Sequence, residues 1–346
     1  MVFLVQIVNS GACVTMENVS RSEVGTSRGA RGWRKRYLVT GIVAFVLVVG
    51  FGILLRIDAL GYVPAAQALA PVAGLGLLLL GVIAAVARRW PATVILVVGV
   101  VIGGWPLLMP VHDHARSGNA DSEQTITVLS LNIEFSGADV TQVAKVIADE
   151  SVQIAILLEC DDAYVEKLAA AGGLGRLPYK IGGMAQVSAQ GTVILSAWPL
   201  RNPGEVTGGS HFDQPTAQVT VPGIGDVRIA AVHTNPPVPP PRGWYDAVQA
   251  VGVWQRAHAN TPLIIAGDFN ASTSHPVYRK AAAGLTDAAV ASPARWLPLP
   301  TWRAGSRVPP FTAIDHILVR DLHPVAWRTV AIPGTDHLGV VAKVMA

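Results

Sequence analysis

Cysteine is scarce: the 346 residues hold two, Cys13 and Cys160. A disulfide-stapled scaffold is thereby excluded, and with no H-E-x-x-H sequence the chain offers little for a zinc centre. Charge is missing locally. From Tyr37 to Val111 only Arg56, Asp58, Arg88 and Arg89 are charged. A basic stripe is missing too. The formal charge of +3 divides into +6 over residues 1–111 and −3 over residues 112–346. The apparent basicity therefore belongs to the N-terminal region and does not describe a nucleic-acid-binding surface. No internal repeat is visible, which removes solenoid and propeller architectures.

The uncharged stretches are informative in themselves. Tyr37 to Leu55 is long enough to span a bilayer. It follows a basic run of Arg28, Arg31, Arg34, Lys35 and Arg36. A signal peptide would have a shorter apolar core and a small-residue cleavage site, so a retained helix is expected. Further uncharged stretches run from Ala59 to Ala87 and from Trp90 to Val111, with Trp90 and Trp105 suited to interfaces. The expected organisation is a disordered, basic, cytoplasmic segment (1–36), a three-helix transmembrane anchor (37–111), a linker (112–124) and a soluble domain (125–346). Arg28–Arg36 and Arg88–Arg89 fall inside by the positive-inside rule, so the C-terminal domain is expected outside the cell membrane. That places Cys13 and Cys160 on opposite sides. Met16 is an alternative start. The spans hold no ionisable residue, which argues against transport.

From Thr125 onward the pattern is α/β. Apolar β-rich runs at Ile126–Leu131, Ile154–Leu158, Thr192–Leu195, Ala217–Val221, Val227–Val232, Leu263–Ala266, Ile314–Val319 and Val340–Val344 predict strands. Val140–Ser151, Asp162–Ala171 and Tyr245–Ala259 predict helices. Polar residues collect at the strand ends: Asn132 and Glu134, Glu159, His233 and Asn235, Asp268 and Asn270, Asp315, and Asp336 with His337. Singly, each is a solvated turn residue or a bonded core histidine. Together, carboxylates with two imidazoles supply what phosphoester hydrolysis requires. Hard oxygen ligands suit Mg²⁺ or Mn²⁺, and imidazole moves protons near neutral pH.

These residues carry a resemblance. The motifs LSLNIEF, ILLEC, GTVILSAWPL, AVHTNPP, IIAGDFNAS, IDHILV and GTDHLGVVAKV resemble, in order, those of the endonuclease/exonuclease/phosphatase superfamily. That superfamily includes pancreatic-type deoxyribonucleases, apurinic endonucleases, neutral sphingomyelinases and inositol-phosphate phosphatases. The resemblance implies a four-layer α/β sandwich, two central mostly antiparallel sheets flanked by helices, here preceded by three transmembrane helices. It also implies a Mg²⁺- or Mn²⁺-dependent phosphoric ester hydrolase. By motif, Glu159 is the principal metal ligand, Asp336 and Glu134 are further metal-site carboxylates, and Asn132 supports that metal site. His337 is the catalytic histidine, oriented by Asp315. Asp268 orients the water, Asn270 binds phosphate, and His233 lies on the phosphate or leaving-group side. Whether His337 or Asp268 is the base stays open.

Asn235, two residues after His233, is a candidate for gripping substrate, and so, outside the motifs, is the pair Trp302–Arg303, because Arg beside Trp can hold a phosphate and stack a ring. The leading expectation is a membrane-anchored, outward-facing phosphodiesterase. The alternatives are an extracellular nuclease acting on DNA or RNA, a phospholipid or sphingomyelin headgroup hydrolase, and a non-catalytic envelope-binding module on a hydrolase scaffold. The expected partners are a phosphodiester (nucleic acid, lipid headgroup or small molecule) and the membrane. No obligate protein partner is inferred.

Overall fold

The computed structural model describes residues 57–104, 124–291 and 299–346. The expected first span, the N-terminal segment with Cys13, nearly all of the linker, and Arg295–Trp296 lie outside the described residues.

Helices α1 (Val63–Ala68), α2 (Ala70–Val86) and α3 (Trp90–Gly104) come first. The expected unbroken stretch from Ala59 to Ala87 is divided. Residues before Val63 form turns, and α1 ends at Leu69, just ahead of Pro71 at the start of α2. Proline is accommodated in a first turn but not in a helix interior, which sets these starts. Among the described residues no helix is long and apolar enough to cross a membrane; α2 has 17 residues and α3 has 15. The two form a hairpin turned by Arg88 and Arg89, and a methyl group added at Gly81 would meet Leu96 Cβ at 3.7 Å. Much of its flank is bare apolar surface, including Leu75, Leu79, Ile83, Val94 and Val98.

The α/β part contains two six-stranded sheets. The first has the order β11 (His323–Val330), β12 (Gly339–Met345), β1 (Thr125–Asn132), β2 (Ile154–Leu158), β4 (Thr192–Ser196) and β3 (Tyr179–Gly182). The second has the order β5 (Arg201–Glu205), β6 (Pro215–Val221), β7 (Gly225–His233), β8 (Leu263–Asp268), β10 (Asp315–Arg320) and β9 (Thr286–Asp287). All pairings are antiparallel except β1–β2 and β7–β8.

Alternation along the strands builds the layers. Ile126, Val128, Ile154, Ile156, Ile229, Ile264, Ile317 and Val344 share one core between the sheets. The opposite faces meet helices. Leu129, Leu131, Leu157 and Leu195 pack with Val143 and Ile147 of α4 (Val140–Asp149) and with Tyr164 and Leu168 of α5 (Asp162–Ala170). Ala230, Val232, Leu263 and Ile265 pack with Trp244, Val248 and Val251 of α6 (Arg242–Ala257) and with Tyr278 of α7 (Pro276–Ala281). A one-turn helix α8 (Ala288–Ala291) follows β9. The result is helix, sheet, sheet, helix. Burial on both faces explains why the central strands read as unbroken apolar runs.

Candidate active site

Strand pairing brings the polar residues to one rim. In the second sheet, His233 of β7 pairs with Asp268 of β8, and Asp268 pairs with Asp315 of β10. In the first, parallel pairing sets Asn132 beside Leu158, so Glu159 emerges next to Asn132. One amide ties the two sheets together: Asn132 Nδ2 donates to Glu159 Oε1 at 3.1 Å and to Asp268 Oδ2 at 3.4 Å.

His337 sits at the centre. Its Nδ1 lies 3.0 and 3.2 Å from the Asp315 carboxylate oxygens. Its Nε2 lies 3.7 Å from Asp268 Oδ2 and 3.6 Å from Asp336 Oδ1. Burial alone would depress this imidazole. Asp315 foremost, then Asp268 and Asp336, outweigh that and push it up to about 10. Asp268 moves up to about 7, through burial first and then, against the pull of His337, through the nearby Asp315 charge. Burial likewise raises Glu159, although Asn132 and the Phe135 amide donate to it. His233 is neutral: burial, then the charge of His337, depresses it to about 3. Its Nε2 lies 3.9 Å from Glu159 Oε1, its ring stacks on Phe212 at 4.1 Å, and its Nδ1 is buried without a partner among the described residues.

The backbone is strained here. Glu134, Phe135, Ser136, Glu159 and Asn270 all have positive φ without being glycine, at 44°, 53°, 60°, 58° and 46°. Such conformations persist only where the surroundings enforce them, and they concentrate at working sites. The loop after Asp268 is clamped accordingly. Phe269 O accepts from Thr234 Oγ1, Asn270 O from Trp244 Nε1 at 3.0 Å, and Ala271 O from His316 Nε2 at 3.0 Å. His316 is itself held by Asp287 at 2.8 Å.

Several sequence expectations change in detail. Asn132 Oδ1 accepts the Glu134 amide at 3.0 Å while its Nδ2 braces two carboxylates. Glu134 is half-buried and contributes that backbone amide. Asn270 directs its Nδ2 inward, to Thr234 O at 2.8 Å and Asp268 Oδ2 at 3.4 Å, and its own N–H to Asp268 Oδ1 at 2.7 Å. Asn235 is bonded into a loop, accepting from His211 N at 3.1 Å and donating to Gly209 O at 2.7 Å.

Trp302 is tied into the rim. Its Nε1 donates to Asp336 Oδ2 at 3.0 Å and its ring meets Phe311 edge-on. The segment from Thr301 to Thr312 thus helps organise the rim. Trp302 bridges to His337, Leu338 N donates to Thr301 O at 2.8 Å, and Thr301 Oγ1 accepts from Asp315 N at 3.2 Å. Arg303 is exposed. Threonines 234, 301 and 335 were missed altogether, because threonine is ordinary in β-rich sequence and nothing distinguishes a bracing hydroxyl.

The donor set fits a hard divalent cation. Asp268, Asp315 and His337 offer ligand atoms within 4.8 Å of one another. Asp315, however, is committed to His337 Nδ1. The available oxygens are those of Glu159, Asp336 and Asp268, and the upward pressure on Glu159 and Asp268 is what a bound cation would relieve.

Residues 129–337 match the model of the Endonuclease/Exonuclease/phosphatase family. Solved structures share the fold. A family protein from Bacteroides thetaiotaomicron is 15% identical with a TM-score of 0.51, over 64% of this chain and 97% of its own. One from Leptotrichia buccalis is 15% identical with a TM-score of 0.50, over 64% and 100%. No curated protein matches the chain. The matched region opens in β1 and closes on His337, taking in the whole rim and every later strand but β12, and the chain belongs to the endonuclease/exonuclease/phosphatase family of phosphoester hydrolases.

Proposed function

We propose that this protein is a divalent-metal-dependent phosphodiester hydrolase tethered to a membrane with its rim on the outer face. The observation that carries the chemistry is His337, gripped at Nδ1 by Asp315 while Nε2 faces Asp268 and Asp336. Glu159 and Asp336 would hold Mg²⁺ or Mn²⁺, which when bound supplies Lewis-acid polarisation of a phosphoryl oxygen. Asp268, held by the Asn270 amide, takes the proton of the attacking water. His337, kept cationic by Asp315, stabilises charge on the phosphoryl oxygens. The buried, neutral His233, with Nε2 3.9 Å from Glu159 Oε1, lies on the phosphate or leaving-group side.

The tether rests on the uncharged hairpin and its bare apolar flank. Its orientation rests on Arg88–Arg89 at the hairpin's turn, read as cytoplasmic, and on contacts of Asp58 and Pro64, at the other end, with the α/β part. Those same contacts, made to His275 and Val277 just beyond Asp268, favour a second reading in which the ester is a lipid headgroup.

The test offers DNA, RNA, sphingomyelin, phosphoinositides and a bis-aryl phosphate to the full chain in detergent, each with Mg²⁺, Mn²⁺ or chelator. We expect metal-dependent cleavage of at least one diester, lost in Glu159→Gln. No turnover on any substrate, together with no metal binding, would leave a binding module on a hydrolase scaffold. Protease added to intact cells should remove the α/β part; its protection would reverse the orientation.

A further inference from the structure

Asp58 and Pro64 precede α2, yet both bond to the catalytic part of the chain. Asp58, 1% exposed, accepts from Val277 N at 2.6 Å. Pro64 O lies 2.8 Å from His275 Nε2. His275 is fully buried, and its Nδ1 accepts from Ser272 N at 2.8 Å. That fixes the ring proton on Nε2, so His275 donates to Pro64 O. The His275 ring meets Trp244 edge-on with centroids 5.1 Å apart. Trp244 Nε1 donates to Asn270 O at 3.0 Å, and Asn270 N donates to Asp268 Oδ1 at 2.7 Å.

An unbroken series of contacts, buried at His275 and part-buried at Asn270, therefore runs from the hairpin's foot to the carboxylate proposed as base. Resting on the hydrolase reading, we infer that Trp244, His275 and Asp58 are positioning residues for Asp268, and that the segment ahead of α2 is a working part of the active site. The physical case is one of precision. Asn270 has a positive φ of 46°, a conformation asparagine tolerates, and its neighbours fix where that turn sits. Its carbonyl is pinned by Trp244, Trp244 is seated by His275, and His275 is seated by Pro64. Asp58 fixes the start of α7, which follows His275 directly. A displacement of about 1 Å in a reacting group costs on the order of 10²-fold in rate. Loss of any link should therefore appear in turnover before it appears in folding.

The experiment uses the full chain in detergent with Trp244→Phe, Asp58→Ala and Asp58→Asn. Phenylalanine keeps a ring against His275 but loses the N–H; asparagine keeps an oxygen for Val277 N. Turnover of a bis-aryl phosphate with Mg²⁺ or Mn²⁺ is measured beside hydrogen–deuterium exchange of peptides covering 263–275. We expect kcat in Trp244→Phe and Asp58→Ala to fall roughly tenfold or more with KM within about twofold, with faster exchange across 268–275. Asp58→Asn should restore both. Unchanged kcat in Trp244→Phe, or changes in Asp58→Ala that Asp58→Asn does not reverse, overturn the inference. If Asp58→Ala does not fold, Trp244→Phe decides. If the wild-type protein turns over no ester, the hydrolase reading fails by itself, and exchange alone decides whether the segment steadies the loop.

Discussion

His337 draws its character from three carboxylates of different duty. Asp315 bonds Nδ1, while Asp268 and Asp336 stand off Nε2 at 3.7 and 3.6 Å. His337→Ala removes the cation facing the phosphate, and hydrolysis should drop by roughly 10²–10⁴-fold; Asp315→Asn should lie between that variant and wild type. Single-turnover rates at saturating metal measure both. As the proposed base, Asp268 would act in its ionised form, so kcat/KM should rise with pH as it loses its proton. Burial sets that carboxyl at about 7 without a cation, and a bound cation lowers it. The acid limb of the pH–rate profile should therefore lie no higher than about pH 7, and move upward as metal is made limiting. Acids and histidines at strand ends were legible in the sequence because such groups are costly to bury unpaired. What they bond to was not legible. Asn235 and Trp302 looked like substrate contacts, and only folding shows Asn235 tied to Gly209 and Trp302 tied to Asp336.

The elements hold the rim through register. Gly267 lies one residue before Asp268 at φ 148°, and a Cβ there would fall 1.9 Å from Val232 O. Glycine is required where β8 presses on β7. Gly267→Ala should cost at least about 2 kcal/mol by denaturant unfolding, and should displace Asp268 from His233. The central strands were readable because both of their faces are buried. Edge strands β3 and β5 were not: their residues are almost all exposed, and β5 reads Arg-Asn-Pro-Gly-Glu. β11 was hidden similarly, as its outward residues are polar or half-exposed and a bulge at Pro324–Ala326 breaks its alternation. α7 and α8 are too short for periodicity to register.

At the scale of the molecule, the hairpin and the α/β part differ in what they offer to solvent. Ile83 is 63% exposed and Val86 80% exposed. A water-facing surface so dense in large apolar side chains is an aggregation hazard unless something apolar covers it. Under the tether reading, the protein should stay with membranes through carbonate and high-salt washes and leave them only in detergent; release by salt alone would sink the tether. The change in charge density near residue 111 is a sequence feature, whereas the break at Leu69 depends on local proline geometry that hydropathy does not weigh.

β12, later in the chain than every other strand described, fills an interior place in its sheet, between β11 and β1. Asp336 and His337 arrive immediately ahead of it. Until that strand slots home, β11 has no partner beside β1 and the rim lacks its central imidazole. Docking of β12 is therefore the step that completes the rim, and a chain that has folded everything else still cannot cut.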